Sequence, residues 1–211
     1  MNRYNLSLTL KLTTRKKLLV SSRSGELDPS VDISFARTLT GDGAHLYIPG
    51  STLKGVLRST LIKLSGLLGH QVKRSVYPPE LEDSTDLVCS IFGRPHQGTS
   101  KVYVKPVFLE GVPHILTHVR IDDNTRMAEE GGLFKAEYLP IGYSFTAELE
   151  ARDLSLPEAE ALLLAVYGMN YERFGRHGLL SVKVDMKRSR VPNDLIERSE
   201  VAKLILEVMR D

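Results

Sequence analysis

The 211-residue sequence has one cysteine, no tryptophan and only six histidines. The lone Cys89 rules out an intrachain disulfide and any metal site made of cysteines alone, and it fits a reducing compartment. None of His45, His70, His96, His114, His118 and His177 falls in an HExxH or other metal-ligand spacing. A long apolar run is missing too: the longest uncharged stretch, residues 161–171, is far short of the roughly 20 apolar residues that span a bilayer. Charge of one sign is also lacking. With 28 Lys+Arg against 26 Asp+Glu the net charge is +2, so any surface for a polyanion has to be local. A soluble, cytoplasmic protein with no membrane partner is expected. Its 42% apolar residues are enough for a real core, and one domain over residues 1–211 is the default.

What is present is clear periodicity. Leu6, Leu8, Leu10 and Leu12 alternate with Ser7, Thr9 and Lys11, the period of two of a strand with one buried and one wet face. Shorter copies follow at residues 101–105, 145–150 and 182–187. Between them, Leu53, Val56, Leu57, Leu61, Leu64 and Leu68 fall at helical steps after Ser51. A second helix opens on the capping box Ser155-Leu156-Pro157-Glu158, runs to Tyr171 and stops near Gly175. The order predicts an α+β fold with a ferredoxin-like, RRM-like β-α-β-β-α-β core. A single C-terminal helix is expected from Asn193 or Asp194 to Met209.

Most connections in a compact domain run to about four to six residues, and long ones usually carry function. Three here are long: about residues 15–49, an irregular lid at 69–100, and 110–141. The first holds the acids Glu26, Asp28 and Asp32, and a carboxylate there could accept a proton or hold a hydrated divalent cation. It leads into Tyr47-Ile48-Pro49-Gly50-Ser51-Thr52-Leu53-Lys54-Gly55-Val56-Leu57-Arg58. Ser51 sits at a helix start, where unpaired N–H groups favour an anion, and Lys54 and Arg58 are one turn apart. Five Lys/Arg and no Asp/Glu lie between Gly43 and Pro79. The same residues also fit an ordinary helix with a solvated basic edge. Near the end, Gly175-Arg176-His177-Gly178 is a basic turn whose glycines could let backbone approach a phosphate, or could serve as a helix cap and loop. The wet face of the first strand lacks the aromatics on which RNA-recognition motifs stack bases, so RNA would bind along loops and helix ends; Tyr103 is the one exposed strand aromatic expected.

The stretch from Tyr47 to Arg58 closely resembles the signature of the RAMP superfamily of CRISPR proteins, particularly the backbone subunits of type III effector complexes. Cys89-Ser90-Ile91-Phe92-Gly93 followed by Ser100-Lys101-Val102 is similar to that family's phenylalanine-glycine segment and next strand. Ile121-Asp122-Asp123-Asn124-Thr125-Arg126-Met127-Ala128, then Gly132-Leu133-Phe134-Lys135-Ala136-Glu137 and Pro140-Ile141-Gly142-Tyr143-Ser144-Phe145, resemble its inserted thumb and following strand. The resemblance implies a guide-RNA-binding subunit that cuts complementary target RNA. Asp32, ahead of Asp28, would be the catalytic residue and a ligand of the divalent cation, Mg²⁺ or Mn²⁺, that cleavage needs; folding needs no cofactor. Arg37, Ser51, Lys54, Arg58, Arg126, Gly175, Arg176 and His177 would meet RNA. Partners would be the CRISPR guide RNA, target RNA, and copies of the chain or other RAMP subunits in a helical complex. Where the family often has Asp after the arginine, this chain has Thr38. Three other readings stay open: a non-cleaving structural subunit; a stand-alone endonuclease processing CRISPR repeats through His45 or His177; and an α+β enzyme or small-molecule binder with an anion site at Ser51.

Overall fold

The computed structural model describes residues 2–21, 30–41, 43–66, 86–94 and 99–211. In chain order the elements begin with β1 (Tyr4–Thr14), β2 (Arg37–Thr40), β3 (Gly43–Ile48), α1 (Gly50–Ser65), α2 (Leu87–Phe92), β4 (Val102–Val104) and β5 (Val107–Phe108). They continue with β6 (His114–Ile121), β7 (Ala128–Tyr138), β8 (Ser144–Leu154), α3 (Leu156–Gly168), a 3₁₀ turn (Met169–Tyr171), β9 (Arg173–Phe174), β10 (Gly178–Val184), α4 (Asn193–Arg198) and α5 (Glu200–Val208).

The alternating leucines of β1 are all at most 2% exposed. β1 pairs antiparallel on both edges, with β8 from Tyr4↔Leu154 to Thr13↔Ser144 and with β10 from Leu10↔Val184 to Thr14↔Leu180. The sheet order is β4-β8-β1-β10-β9. With the insertions set aside, β1-α1-β4-β8-α3-β10 is the β-α-β-β-α-β sequence in the ferredoxin-like arrangement. Leu53, Leu57 and Leu61 of α1 and Leu162, Leu163 and Val166 of α3 share one core cluster with the β1 leucines. No helix among the described residues is long and apolar enough to cross a membrane.

Several expectations are corrected. The second face of β1 is not uniformly wet, because Thr9 is buried. Beyond the end of β10 the chain runs back along β1: Thr9 N–H donates to Ser189 Oγ (2.9 Å), Asp185 N–H to the Thr9 carbonyl (2.9 Å), and Arg190 N–H to the Ser7 carbonyl (2.7 Å). The C-terminal helix is two helices. Ser199 is extended between them, its hydroxyl accepting from Ala202 N–H and donating to Glu160 Oε1 (2.6 Å), so it caps α5 instead of continuing α4. The first and third insertions contain β structure, a β2–β3 hairpin to which β5 adds and a long β6–β7 hairpin. Of the segment at 69–100, residues 69–85 and 95–98 lie outside the described residues, as do Leu68, His70 and His96.

The start of α3 is held as its sequence indicates. Glu158 accepts from Ser155 N–H (2.7 Å) in the capping box, and from Lys101 Nζ at 2.7 and 2.8 Å. Its side chain is buried, and burial pulls its pKa upward; the Lys101 ammonium and the Ser155 and Ser90 donors outweigh that and bring it to about 2, from an ordinary value of 4.5. A carboxyl with a folded pKa below its unfolded one contributes stability that is complete above about pH 5 and is lost as pH falls through about 2. Glu158→Gln is therefore expected to cost at most on the order of 3 kcal/mol at pH 7. In urea unfolding, the gap between variant and wild type should narrow steadily from pH 5 to pH 2.

Candidate nucleic-acid interface

The amino end of α1 is fixed by a close backbone approach. A Cβ on Gly50 would lie 2.0 Å from the Val104 carbonyl oxygen, so only glycine lets the helix start against the end of β4. Pro49 is the N-cap, no side chain caps the helix, and the first turn holds no acid. Ser51 is exposed; Lys54 and Arg58 are half-buried on the following turns. The Arg58 guanidinium reaches the Gly93 carbonyl (3.4 Å) and Cys89 Sγ (4.0 Å), at the carboxyl end of α2. Burial lowers the Lys54 pKa and the neighbouring Arg58 charge lowers it further. Among the described residues Lys54 has no carboxylate partner. Two half-buried cations thus lie one turn apart on α1, Lys54 the nearer to its amino end, an arrangement that an anion beside Lys54 would stabilise.

Asp32 lies elsewhere, against the base of the β6–β7 hairpin. Its N–H and that of Ile33 donate to the Lys135 carbonyl (3.0 Å each), and Glu137 N–H donates to the Ile33 carbonyl (3.0 Å). Residues 32–34 therefore form a short parallel addition to the outer edge of β7, with Ile33 bridged to Ala136. The Asp32 carboxylate ends this ladder by accepting Lys135 N–H at Oδ2 (2.7 Å), and the residue is otherwise exposed. Glu26 and Asp28 lie outside the described residues, among which no group of three or more His, Cys, Asp or Glu is placed to hold a metal. An exposed carboxylate with one oxygen engaged still fits Mg²⁺ or Mn²⁺, hard cations that are often held by one or two carboxylates plus water and substrate phosphate oxygens.

Arg37 requires correction. Its guanidinium is not presented to solvent but forks onto Glu137, NH1 to Oε2 (2.7 Å) and NH2 to Oε1 (2.6 Å), with side-chain exposures of 16% and 3%. Glu137 Oε2 also accepts Phe35 N–H (2.7 Å). Nothing in the sequence around Glu137 distinguishes this buried acid from a surface one.

The glycine turn near the last strand is likewise explained within the chain. Gly175 has φ +57°, and a Cβ there would lie 2.4 Å from the Leu19 carbonyl oxygen, which accepts Arg176 N–H (2.8 Å). The close approach expected toward a phosphate is made to residues 18 and 19. Arg176 and His177 remain exposed at the turn, and His45 is on β3, a different element.

Arg126, at the hairpin tip, has φ +55° in a turn that Asp122 organises by accepting from Asn124 N–H, Thr125 N–H and Thr125 Oγ1. These donors, that of Thr125 foremost, lower the Asp122 pKa. Apolar side chains line the hairpin in the open: Met127 is 72% exposed, and Ile121, Leu133 and Val119 are exposed as well. On the opposite side His118 stacks on Phe134, ring centroids 5.1 Å apart, and leans on Tyr138, its Nε2 buried without a hydrogen-bond partner among the described residues.

With this geometry in view, the family model of the RAMP superfamily matches residues 33–178, more than half of the chain. No curated protein matches it.

The glycine turn makes a direct prediction. Gly175→Ala adds a clashing Cβ at positive φ and is expected to destabilise the chain by about 1–3 kcal/mol in urea unfolding, whereas Arg176→Ala and His177→Ala, at exposed positions, should each stay within about 0.5 kcal/mol of wild type.

Proposed function

The chain belongs to the RAMP superfamily, and from that premise we propose that it is a guide-RNA-binding backbone subunit of a type III CRISPR effector complex that also cuts complementary target RNA. Family membership carries the coarser part: a CRISPR-associated role, in which RAMP proteins generally bind CRISPR RNA and act in complexes. The finer part rests on the site.

The observation that carries guide binding is the half-buried Lys54–Arg58 pair at an uncapped, acid-free helix start. Phosphates of the guide lie against Ser51, Lys54 and Arg58, and a phosphate beside Lys54 favours the charged form that burial disfavours. Such contacts position RNA without reading bases, so target choice falls to guide pairing. The β6–β7 hairpin acts as the thumb: its exposed Ile121, Met127 and Leu133 offer apolar surface to unstacked bases, and Arg126 lies beside them.

A nucleotide displaced by the thumb places its 2′-OH near its own phosphodiester. The 2′ oxygen attacks phosphorus, the bond to the 5′ oxygen breaks, and a 2′,3′-cyclic phosphate and a 5′-hydroxyl result. Asp32 takes or orients the 2′-OH proton through its solvent-facing oxygen, and Asp32 would also hold the divalent cation. When bound, that cation neutralises charge developing on the phosphate and leaving oxygens. A second reading, guide binding without cutting, is favoured by one observation: the Asp32 carboxylate already serves Lys135 N–H.

Two measurements test the proposal. In the reconstituted complex with Mg²⁺, Asp32→Ala should abolish regularly spaced target cuts while guide loading is unchanged, and EDTA should do the same to wild type; cuts that persist in the variant remove Asp32 from the mechanism. For the guide grip, Lys54→Ala with Arg58→Ala should lower single-stranded RNA affinity and reduce the slope of log K against log salt by about 1.4, about 0.7 per lost phosphate contact. An unchanged slope assigns the phosphates to other residues.

A further inference from the structure

We propose that Glu137 is a positioning residue for cutting at Asp32, locking the Asp32 segment to the thumb so that the two move as one body. The inference rests on the reading of Asp32 given above and names a residue that the reading does not use.

Residues 32–34 lie along the thumb strand β7, tied at Lys135 and at Glu137 N–H. Three backbone bonds at a half-open edge set direction, but they are exposed to competition from water near Asp32. Glu137 is the dry end of the same arrangement. Its side chain comes from β7, two residues after Lys135, and its carboxylate collects three donors, all from the chain that follows Asp32: Phe35 N–H and two guanidinium nitrogens of Arg37. Phe35 itself is fully buried, so the clamp sits on a fixed point three residues from the cutting carboxylate. Arg37 begins β2, which passes the same fixed point on to β3 and hence to the start of α1.

A buried ion pair is rarely the cheapest way to fill space, since apolar side chains of similar volume often stabilise as well. What this one supplies is geometry: a planar fork meeting a carboxylate in two parallel bonds allows one orientation and one register. In-line attack demands such control, because a misplacement of about 1 Å costs on the order of 10²-fold in rate. The thumb and the carboxylate must also arrive together, since one displaces the nucleotide that the other acts on. A shared strand with a buried clamp meets both demands.

The variant of choice is Glu137→Gln, which keeps shape and an acceptor for Phe35 N–H but sets an amide against Arg37; Glu137→Asp keeps the charge. In single-turnover cleavage by the reconstituted complex at saturating target, Glu137→Gln is expected to slow cutting about ten- to hundredfold, with target affinity within about twofold of wild type, and Glu137→Asp to recover part of the rate. An unchanged rate overturns the proposal, and so does a rate loss matched by an equal loss of affinity. Hydrogen exchange of the free full-length chain provides a readout independent of activity. Amides of Ile33, Phe35 and Lys135 should exchange at least about tenfold faster in Glu137→Gln while those of β1 and β8 hold. Faster exchange throughout makes Glu137 a general stabiliser and refutes a positioning role; unchanged exchange refutes the clamp. Should Asp32→Ala cut like wild type, the assignment of cutting to Asp32 fails, and the exchange result alone still decides whether Glu137 fixes the segment.

Discussion

β1 is hydrogen-bonded along both edges and dry on one face, and that double constraint sets the frame in which every other element is placed. A slip of one residue would turn Leu6, Leu8, Leu10 and Leu12 out of the core, at about 1.5–3 kcal/mol for each. Its register therefore fixes β8 and β10, and through β8 it fixes β4. The Val104 carbonyl at the end of β4 is the surface against which Gly50 sets the start of α1. The position of Lys54 and Arg58 is thus inherited, through one close contact, from the most strongly specified strand in the molecule. A phosphate held there is held relative to the core.

The Asp32 segment is fixed by different means. Val31 and Phe35 are buried on either side of it and Ile33 packs against the core, while Asp32 itself is exposed and its hydrogen bonds run to β7. Polar bonds between two distant stretches of chain, around residues 32–37 and 135–137, add to the alternating burial of Val31, Ile33 and Phe35. This difference follows from location. An exposed carboxylate such as Asp32 is not placed by its own burial, so its geometry has to be set by groups nearby that are buried. Glu137 and Arg37 satisfy that condition because each is shielded and each satisfies the other's charge.

The contrast also explains what was legible in the sequence. Strands and helices with one buried face are marked by period: β1, β8, α1 and the capping box of α3 fall where the alternation and the Ser155-to-Glu158 spacing put them, while β10 begins four residues earlier than the alternation at 182–187 and ends at Val184. The β6–β7 hairpin is not so marked, because most of it is exposed on both faces and its apolar residues follow no single-face rhythm. The β2–β3 hairpin has a local signal in the glycines at 41 and 43, but it lies inside a long connection with no apolar alternation around it. The resemblance sets Arg37 and Gly175 against RNA; both are engaged by partners remote in sequence, Glu137 and Leu19, and no local pattern encodes such pairings. The break at Ser199 is subtler still, a capping residue hidden in an otherwise continuous helical pattern.

The Lys54–Arg58 pair bears on why a nearly neutral chain would leave such a feature in place. Burial disfavours the Lys54 charge, Arg58 repels it, and the helix dipole at that end has the same sign. Any nearby acid would relieve all three, and the chain has 26 acids, yet none lies between Gly43 and Pro79. An acid there would compete with an external anion for the same cations and raise the desolvation cost of binding it. With none in that stretch of sequence, the desolvation of Lys54 is a cost that an external anion arriving beside it would relieve. On the reading proposed above, a repeating polyanion would suit this better than an isolated anion, since its neighbouring phosphates would engage other subunits and add effective concentration. A weak grip by one subunit would then be compatible with strong binding by an array, and a net charge of +2 would not argue against nucleic acid.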